Sequence, residues 1–406
     1  MNILLISISA PPKNSPESFQ TARYLKYMSQ DHEVTLLTTR ITGGWEPEDK
    51  SLMKYLQKAR QVVSLYALPP RVISLMKRFF PALLMPDEGV AFTWQAGKAA
   101  KAIKDKPSVV FSRSLPYSSA IMGMELARHW NVPWIMHLSD PWVDNPFFTL
   151  KGKLRQRHQR LELECFEAAR IITLTSDKTL AFYKKKYPHL AEKFKFLPNV
   201  FDKDDCNVGP PSQQTKMRFV FTGRLYGTRS IHRFLDTMEE ALGRYPELEA
   251  NTEVLLAGFF DEENITRIRQ SPLKNVTYLG ALSLDEALQL QQQAHVLVLI
   301  DSIEQDERYN LFFPSKLLDY LAANRMILAL TNRESTTYEV VEGKAGKCFY
   351  PENMNEMPAF IRKMIDEFQT GTFQHTTNAA DLLKYEASFN AKRLEQMFFE
   401  ILKDHE

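Results

Sequence analysis

NILLISIS (residues 2–9), the proline-rich loop APPKNSP (10–16), a helical spacing of Phe19, Ala22, Arg23, Leu25 and Met28, and HEVTLLTT (32–39) together decide the fold class. The first run is uncharged and of strand length, the middle one repeats with a helical period, and the last is β-branched. Strand, helix and strand in that order make a βαβ unit, hence a parallel sheet. The alternation continues through SVVFSR (108–113), a helix over 118–129, PWIMHL (133–138), a long basic helix over 151–170 and a strand at 171–175. It restarts after a polar, proline-bearing stretch at 202–214, with RFVFT (218–222), a helix over 230–242, EVLLAG (253–258) and a short strand at 276–279. A helix over 285–293, HVLVLI (295–300), a helix over 314–323 and a strand at 326–330 complete that second series. The expected architecture is α/β, two tandem Rossmann-like doubly wound parallel-sheet domains. Their boundaries are 1–200, a linker at 201–214, and 215–381. A helical segment at 382–406 follows and packs across a lobe through Leu394, Met397, Phe398 and Leu402.

The chain has 406 residues, 44% hydrophobic and 25% charged, which excludes a disordered or fibrous protein and suffices for two cores. No apolar run reaches the roughly 18 residues of a membrane span, and the first ten residues lack a basic flank and a cleavage site. A cytoplasmic protein is expected. Cys165, Cys206 and Cys348 are too few and too scattered for a disulfide framework or a four-thiolate zinc site. The net charge of +2 hides an asymmetry, because residues 1–200 carry 29 Lys and Arg against 17 Asp and Glu. A basic half suits an anionic partner, whether a phosphate-bearing substrate or a membrane leaflet. RVISLMKRFFPALLM (71–85) mixes Arg71, Lys77 and Arg78 with apolar residues as a membrane-surface segment does, although a buried helix pair would use the same apolar residues.

Absent motifs narrow the chemistry. The turn after the first strand, SAPPKNSPES (9–18), has no glycine, and the sequence has no G-x-G-x-x-G, P-loop, G-x-S-x-G or H-E-x-x-H. Asp202, Asp204 and Asp205 fall in the linker, so no metal site and no cofactor are expected. Two segments remain. In TGRLYGTR (222–229), Gly223 and Gly227 give a turn, and Arg224 and Arg229 set two fixed charges beside a helix start, a place for diphosphate. In FPSKLLDYLAA (313–323), Pro314 suits the first helical position, and Ser315 and Lys316 lie at an exposed helix tip. Asp319 follows one turn later, placed for ribose hydroxyls or for a simple i, i+3 pair with Lys316.

The order TGRLYGTR, LLAGF, NVTYLGALSLDEALQL, AHVLVLI and FPSKLLDYLAANRMILAL resembles the carboxyl-terminal lobe of retaining, nucleotide-sugar-dependent glycosyltransferases of family 4, which have the GT-B architecture with an interdomain cleft. RSLPYSSAIMG (113–123), VPWIMHLSDPW (132–142) and LPNVFD (197–202) look like the acceptor-side signature and interdomain turn of one branch of that family. The resemblance implies that Arg224 and Arg229, with Ser315 and Lys316, bind the donor diphosphate, that Asp319 binds the ribose, and that Ala281 and Leu282 after Gly280 line the base. Leu311 stands where the family often has a glutamate that touches the donor sugar. On the acceptor side it implies Asn14, Ser15 and Ser114, with His137 or Asp140 orienting the attacking hydroxyl. For His137 the competing reading is a buried, hydrogen-bonded histidine. Glu17 and Ser18 are expected to cap the first helix. The function implied is metal-independent, retaining transfer of a sugar from a nucleotide-diphosphate sugar to a saccharide or lipid-linked saccharide acceptor, in the synthesis of polysaccharide or of a glycolipid such as lipopolysaccharide, in the cytoplasm or at the inner face of the plasma membrane. A GT-B epimerase and a non-catalytic nucleotide-sugar binder are the alternatives.

Overall fold

The computed structural model describes residues 1–40, 48–148, 150–205, 215–243, 245–375 and 377–405. Residues 206–214 of the expected linker, with Cys206, lie outside them. The chain divides into two compact units, Met1–Val200 with Tyr385–Glu406, and Phe201–Lys384.

The first unit holds seven parallel strands: β1 (Asn2–Ile6), β2 (Glu33–Thr39), β3 (Gln61–Leu65), β4 (Val109–Ser114), β5 (Trp134–Leu138), β6 (Ile171–Leu174) and β7 (Phe194–Phe196). The second holds six: β8 (Met217–Leu225), β9 (Thr252–Phe260), β10 (Val276–Gly280), β11 (Val296–Ile300), β12 (Met326–Leu330) and β13 (Gly346–Phe349). The sheet orders are β3-β2-β1-β4-β5-β6-β7 and β10-β9-β8-β11-β12-β13, each winding outward in both directions from a central strand. The helices used below are α1 (Pro16–Asp31), α2 (Pro70–Phe79), α3 (Ser118–Trp130), α4 (Gly152–Ala168), α5 (Asp177–Lys186), α6 (His232–Leu242), α7 (Ser315–Ala323) and α8 (Ala387–Lys403).

Strand alternation divides the first core between two faces. Leu4, Ile6, Val110, Met136 and Ile172 point to a cluster that includes Met122 and Met124 of α3 and the aromatics Trp134, Trp142, Phe166 and Tyr183. Ile3, Leu5, Phe111, Ile135 and Ile171 point the other way, against Tyr24, Leu25 and Met28 of α1 and Leu394, Met397, Phe398 and Ile401 of α8. The last core residue of α8 is Ile401, while the expected Leu402 is only half-buried.

The loop after β5 is fixed from three sides. Trp142 stacks on Tyr117 at 4.6 Å, and its backbone N–H donates to the Tyr183 hydroxyl at 2.9 Å. Glu162 of α4, fully buried, accepts from Val143 N at 2.8 Å, Lys186 Nζ at 2.8 Å and the Tyr187 hydroxyl at 2.9 Å. Burial pushes its carboxyl upward in pKa against the pull of Lys186. Lys186 also donates to Asp144 at 2.6 Å, and Arg155 reaches the same carboxylate at 2.7 Å. This network fixes the segment from Trp142 to Asp144, which follows Asp140 at the carboxyl edge of the sheet.

Two details of the second unit differ from expectation. Gly223 does not turn the chain; β8 runs on through Arg224 to Leu225, paired with β9 as far as Phe260. Gly223 (φ +138°) faces Gly258 (φ +132°), backbone states that a side chain disfavours, and a Cβ on Gly258 would lie 1.7 Å from the Gly223 carbonyl oxygen. The glycine pair lets the two strands stay paired through this backbone conformation. Pro314 is the N-cap of α7 rather than its first residue, which is Ser315.

Candidate functional site

Parallel α/β sheets bind ligands outside the carboxyl ends of their strands. In the second unit that edge gathers β8, β11 and the start of α7. Tyr320 fixes their arrangement: its hydroxyl accepts from Thr222 N at 3.0 Å and donates to Val298 O at 3.1 Å. Gln291 adds a 2.8 Å bond to Thr222 Oγ1. The amino end of α7 is held over the sheet edge, and Pro314 gives it no side-chain cap. Its leading N–H groups are therefore the sort of donors that anions take.

Lys316 turns back from this tip onto β8. Its ammonium lies 4.0 Å from the centroid of the Phe221 ring, in space left by Gly223, where a Cβ would be 2.9 Å away. The amine is buried, and among the described residues it has no hydrogen-bond partner. Burial, reinforced by the positive charge of Arg229 and only partly offset by Asp301, lowers its pKa to about 7. Arg229 Nε is likewise buried and unpartnered. Its turn is closed by Arg229 N donating to Tyr226 O at 3.2 Å. A buried amine and a guanidinium Nε without hydrogen-bond partners, with the carboxylate of Asp301 only partly offsetting their charge, leave strong donors unmatched, an arrangement that favours a multiply charged anion. Gly223→Ala is expected to displace the Lys316 amine and weaken diphosphate binding by about tenfold without changing any charge, read by calorimetric titration.

The other residues expected on the donor side are placed as follows. Arg224 is exposed, its guanidinium 5.4 Å from the Phe259 ring centroid, while the charge of Arg229 acts on the Lys316 amine. The start of α6 gives little to a ligand, because Asn264 Oδ1 accepts from Ile231 N at 2.7 Å and Ser230 Oγ from His232 N at 3.2 Å. Asp319 is half-buried one turn along α7, close enough for its charge to act on Tyr320. Ala281 and Leu282 follow β10, two strands and about 10 Å from β8. Ser315 is exposed at the helix tip. Leu311 ends a short turn, Glu307–Leu311, in a loop that Asn332 holds by bonds to Glu304 O and Asn310 Oδ1, both 3.0 Å. Asp301, whose carboxylate accepts from Thr331 at 2.9 Å and Thr337 at 2.5 Å, escaped the motif reading because its partners come from beyond β12.

In the first unit, Ser15 caps α1 by accepting from Ser18 N at 3.4 Å, correcting the assignment to Glu17 and Ser18. Glu17 instead turns inward to Arg113, 3.6 Å from its Nη2, and Arg113 also donates to Asn199 at 3.0 Å. The loop that lacks glycines is held by Lys13, which donates to Ile8 O at 2.6 Å and Thr39 Oγ1 at 2.7 Å. Asn14 and Ser15 are half-buried beside it. Ser114 Oγ donates to His137 O at 2.8 Å and serves as a cross-strand tie. His137 has no exposed surface; Nδ1 meets Thr173 Oγ1 at 2.9 Å, and burial together with Arg113 lowers its pKa well below the usual imidazole value. The ring is buried as the competing reading expects, but its Nε2 has no hydrogen-bond partner among the described residues. Asp140 is half-buried just beyond β5. Trp134 and Trp142 are core residues, 1% and 0% exposed. Among the described residues, no cluster of three or more His, Cys, Asp or Glu is placed to hold a metal ion.

Residues 20–186 match the glycosyl transferase 4-like domain family. No curated protein sequence matches the chain. Solved structures do match across its length. HepE from Anabaena, in complex with UDP and glucose, is 15% identical with a TM-score of 0.67, covering 98% of this chain and 100% of that one. Sucrose-phosphate synthase from Thermosynechococcus elongatus is 15% identical with a TM-score of 0.66, covering 99% of both chains. The lipopolysaccharide outer core galactosyltransferase WaaB is 13% identical with a TM-score of 0.60, covering 98% and 99%. With its two parallel-sheet units of seven and six strands, the chain has the GT-B fold of glycosyltransferases.

Proposed function

We propose that the protein is a retaining, metal-independent glycosyltransferase that takes a sugar from a nucleotide-diphosphate donor and joins it to a hydroxyl of a saccharide acceptor, free or lipid-linked. The observation that carries this reading is the buried, unpartnered Lys316 amine, on which the charge of Arg229 acts, at an uncapped helix tip. The match of residues 20–186 and the fold support the same chemistry. Glycosyl transfer breaks the anomeric C–O bond toward an oxocarbenium-like state, and the bonding electron pair passes to the leaving diphosphate. Lys316, Arg229 and the N–H groups of α7 stabilise that charge, the work a metal ion does elsewhere. Attack by the acceptor hydroxyl on the same face, with its proton passing to the departing phosphate, gives retention. Asp319 takes the ribose, the Ala281–Leu282 backbone lines the base, and Asp140 orients the acceptor.

Incubation with a panel of nucleotide sugars and candidate acceptors, with chelator present, tests the reading by release of nucleotide and the anomeric configuration of the product. Absence of both binding and turnover on every donor would overturn it. Leu311, in place of the family's usual glutamate, favours a second reading, a nucleotide-sugar binder without transfer, which binding without turnover would select.

The lowered pKa of Lys316 sets the pH dependence. Free protein loses the amine's proton as pH rises through about 7, whereas a bound diphosphate favours the ammonium form. Affinity for a nucleotide sugar, whose phosphodiester groups do not titrate in this range, is expected to fall as pH rises above 7. Binding at pH about 8 is expected to take up close to one proton, measured from titration enthalpies in buffers of different ionisation heat. Flat affinity with no proton uptake would remove Lys316 from the site.

A further inference from the structure

We propose that residues 70–86 form a docking surface for an anionic lipid bilayer. At 3.6 residues per turn, α2 carries two apolar stripes. Ile73 and Met76 face inward and pack with Leu68, Leu84 and Val90. Val72, Leu75 and Phe79 face outward, and Phe80 and Leu83 continue the stripe beyond the helix. The last four of these are 56–58% exposed. A buried helix pair accounts for Ile73 and Leu84 and leaves these outward side chains unexplained. An exposed apolar stripe of this size in a soluble unit marks a contact surface.

Charge identifies the occupant. Residues 67–86 contain Arg71, Lys77 and Arg78 and no acidic residue. Lys77 pairs with Glu88. Arg71 and Arg78 border the outward stripe, with the Arg78 guanidinium 5.3 Å from the Phe79 ring centroid. Rings and leucines flanked by arginines match an interface whose acyl region is apolar and whose headgroups are negative. No helix among the described residues is long and apolar enough to cross a membrane, so this segment lies on the bilayer rather than in it. The segment is anchored where a lipid-borne acceptor would be needed. Asp87 accepts from Ser118 N at 3.0 Å, Ser118 Oγ at 2.6 Å and Gly89 N at 2.9 Å, tying its end to the start of α3 at the carboxyl edge of the first sheet.

The test reads vesicle binding by the full chain without nucleotide, so it stands or falls apart from the donor assignment. Wild-type protein is expected to co-sediment with phosphatidylcholine–phosphatidylglycerol vesicles at low salt, and much less with phosphatidylcholine alone. Leu75→Ser, Phe79→Ser, Phe80→Ser and Leu83→Ser combined should reduce binding by roughly 30-fold or more. Arg71→Gln with Arg78→Gln should erase the preference for anionic vesicles while keeping the thermal midpoint. Wild-type protein that stays in the supernatant with anionic vesicles overturns the proposal. So does a serine variant that sediments like wild type, or a wild-type dimer that the serine variant makes monomeric without any vesicle binding.

Discussion

Lys316→Met will weaken binding of a nucleoside diphosphate, tested first with UDP, by about 2 kcal/mol, or roughly thirtyfold in Kd. The size follows from what is lost. A charge-assisted bond to phosphate disappears, and methionine fills the same volume over Phe221, so packing changes little and the difference reports charge. Transfer will fall further than binding, by about a hundredfold, because charge on the diphosphate grows as the anomeric bond breaks. Arg229→Ala will give a similar loss of affinity. The double variant will lose less than the sum, since each cation raises the cost of the other in the empty site. Arg224→Ala, at an exposed position over Phe259, will change UDP affinity less than either. Equal losses at Arg224 and Arg229 would return the diphosphate to the arginine pair expected from the sequence.

The largest effect on stability will come from Glu162→Ala, about 3–5 kcal/mol, measured by urea denaturation of the first unit. The carboxylate accepts from Val143 N, Lys186 and Tyr187 at full burial, and its removal leaves the Lys186 charge and a loop N–H without that partner. Glu162→Gln keeps an acceptor and will cost less. Glu162→Leu combined with Lys186→Met will recover part of the loss, because a buried pair removed whole is tolerated better than one broken in half. The same substitution releases the Val143 N–H in the loop that follows Asp140, so under the acceptor role proposed for Asp140 transfer will decline in any variant that still folds.

The doubly wound architecture was legible because strand and helix periods alternate openly from NILLISIS onward, and because the pattern restarts after residue 214. The strands β3, β7 and β13 escaped notice; QVVSL, FKF and GKCF are too short or too mixed to show a period. Arg229, Lys316 and Asp319 were singled out through local spacing. Their grouping was not, because Lys316 is drawn inward by the missing side chain of Gly223, on a strand 93 residues earlier. A local reading pairs Lys316 with Asp319 or Arg224 with Arg229; the seat of Lys316 over Phe221, where the charge of Arg229 acts on it, comes from tertiary packing. His137 shows the opposite limit: its place at a strand end marks it for catalysis, while the pairing of β5 between β4 and β6 buries it.

The helix α8 lies on the sheet of the first unit although it follows the whole of the second in the chain. During synthesis the ribosome therefore releases every strand of the first unit long before the segment that covers Leu5, Phe111 and Ile135 exists. The second unit, contiguous from Phe201 to Lys384, can close by itself in the meantime. The first unit's native core is therefore incomplete until α8 has been synthesised, and until then the nascent chain exposes apolar surface that the finished fold covers.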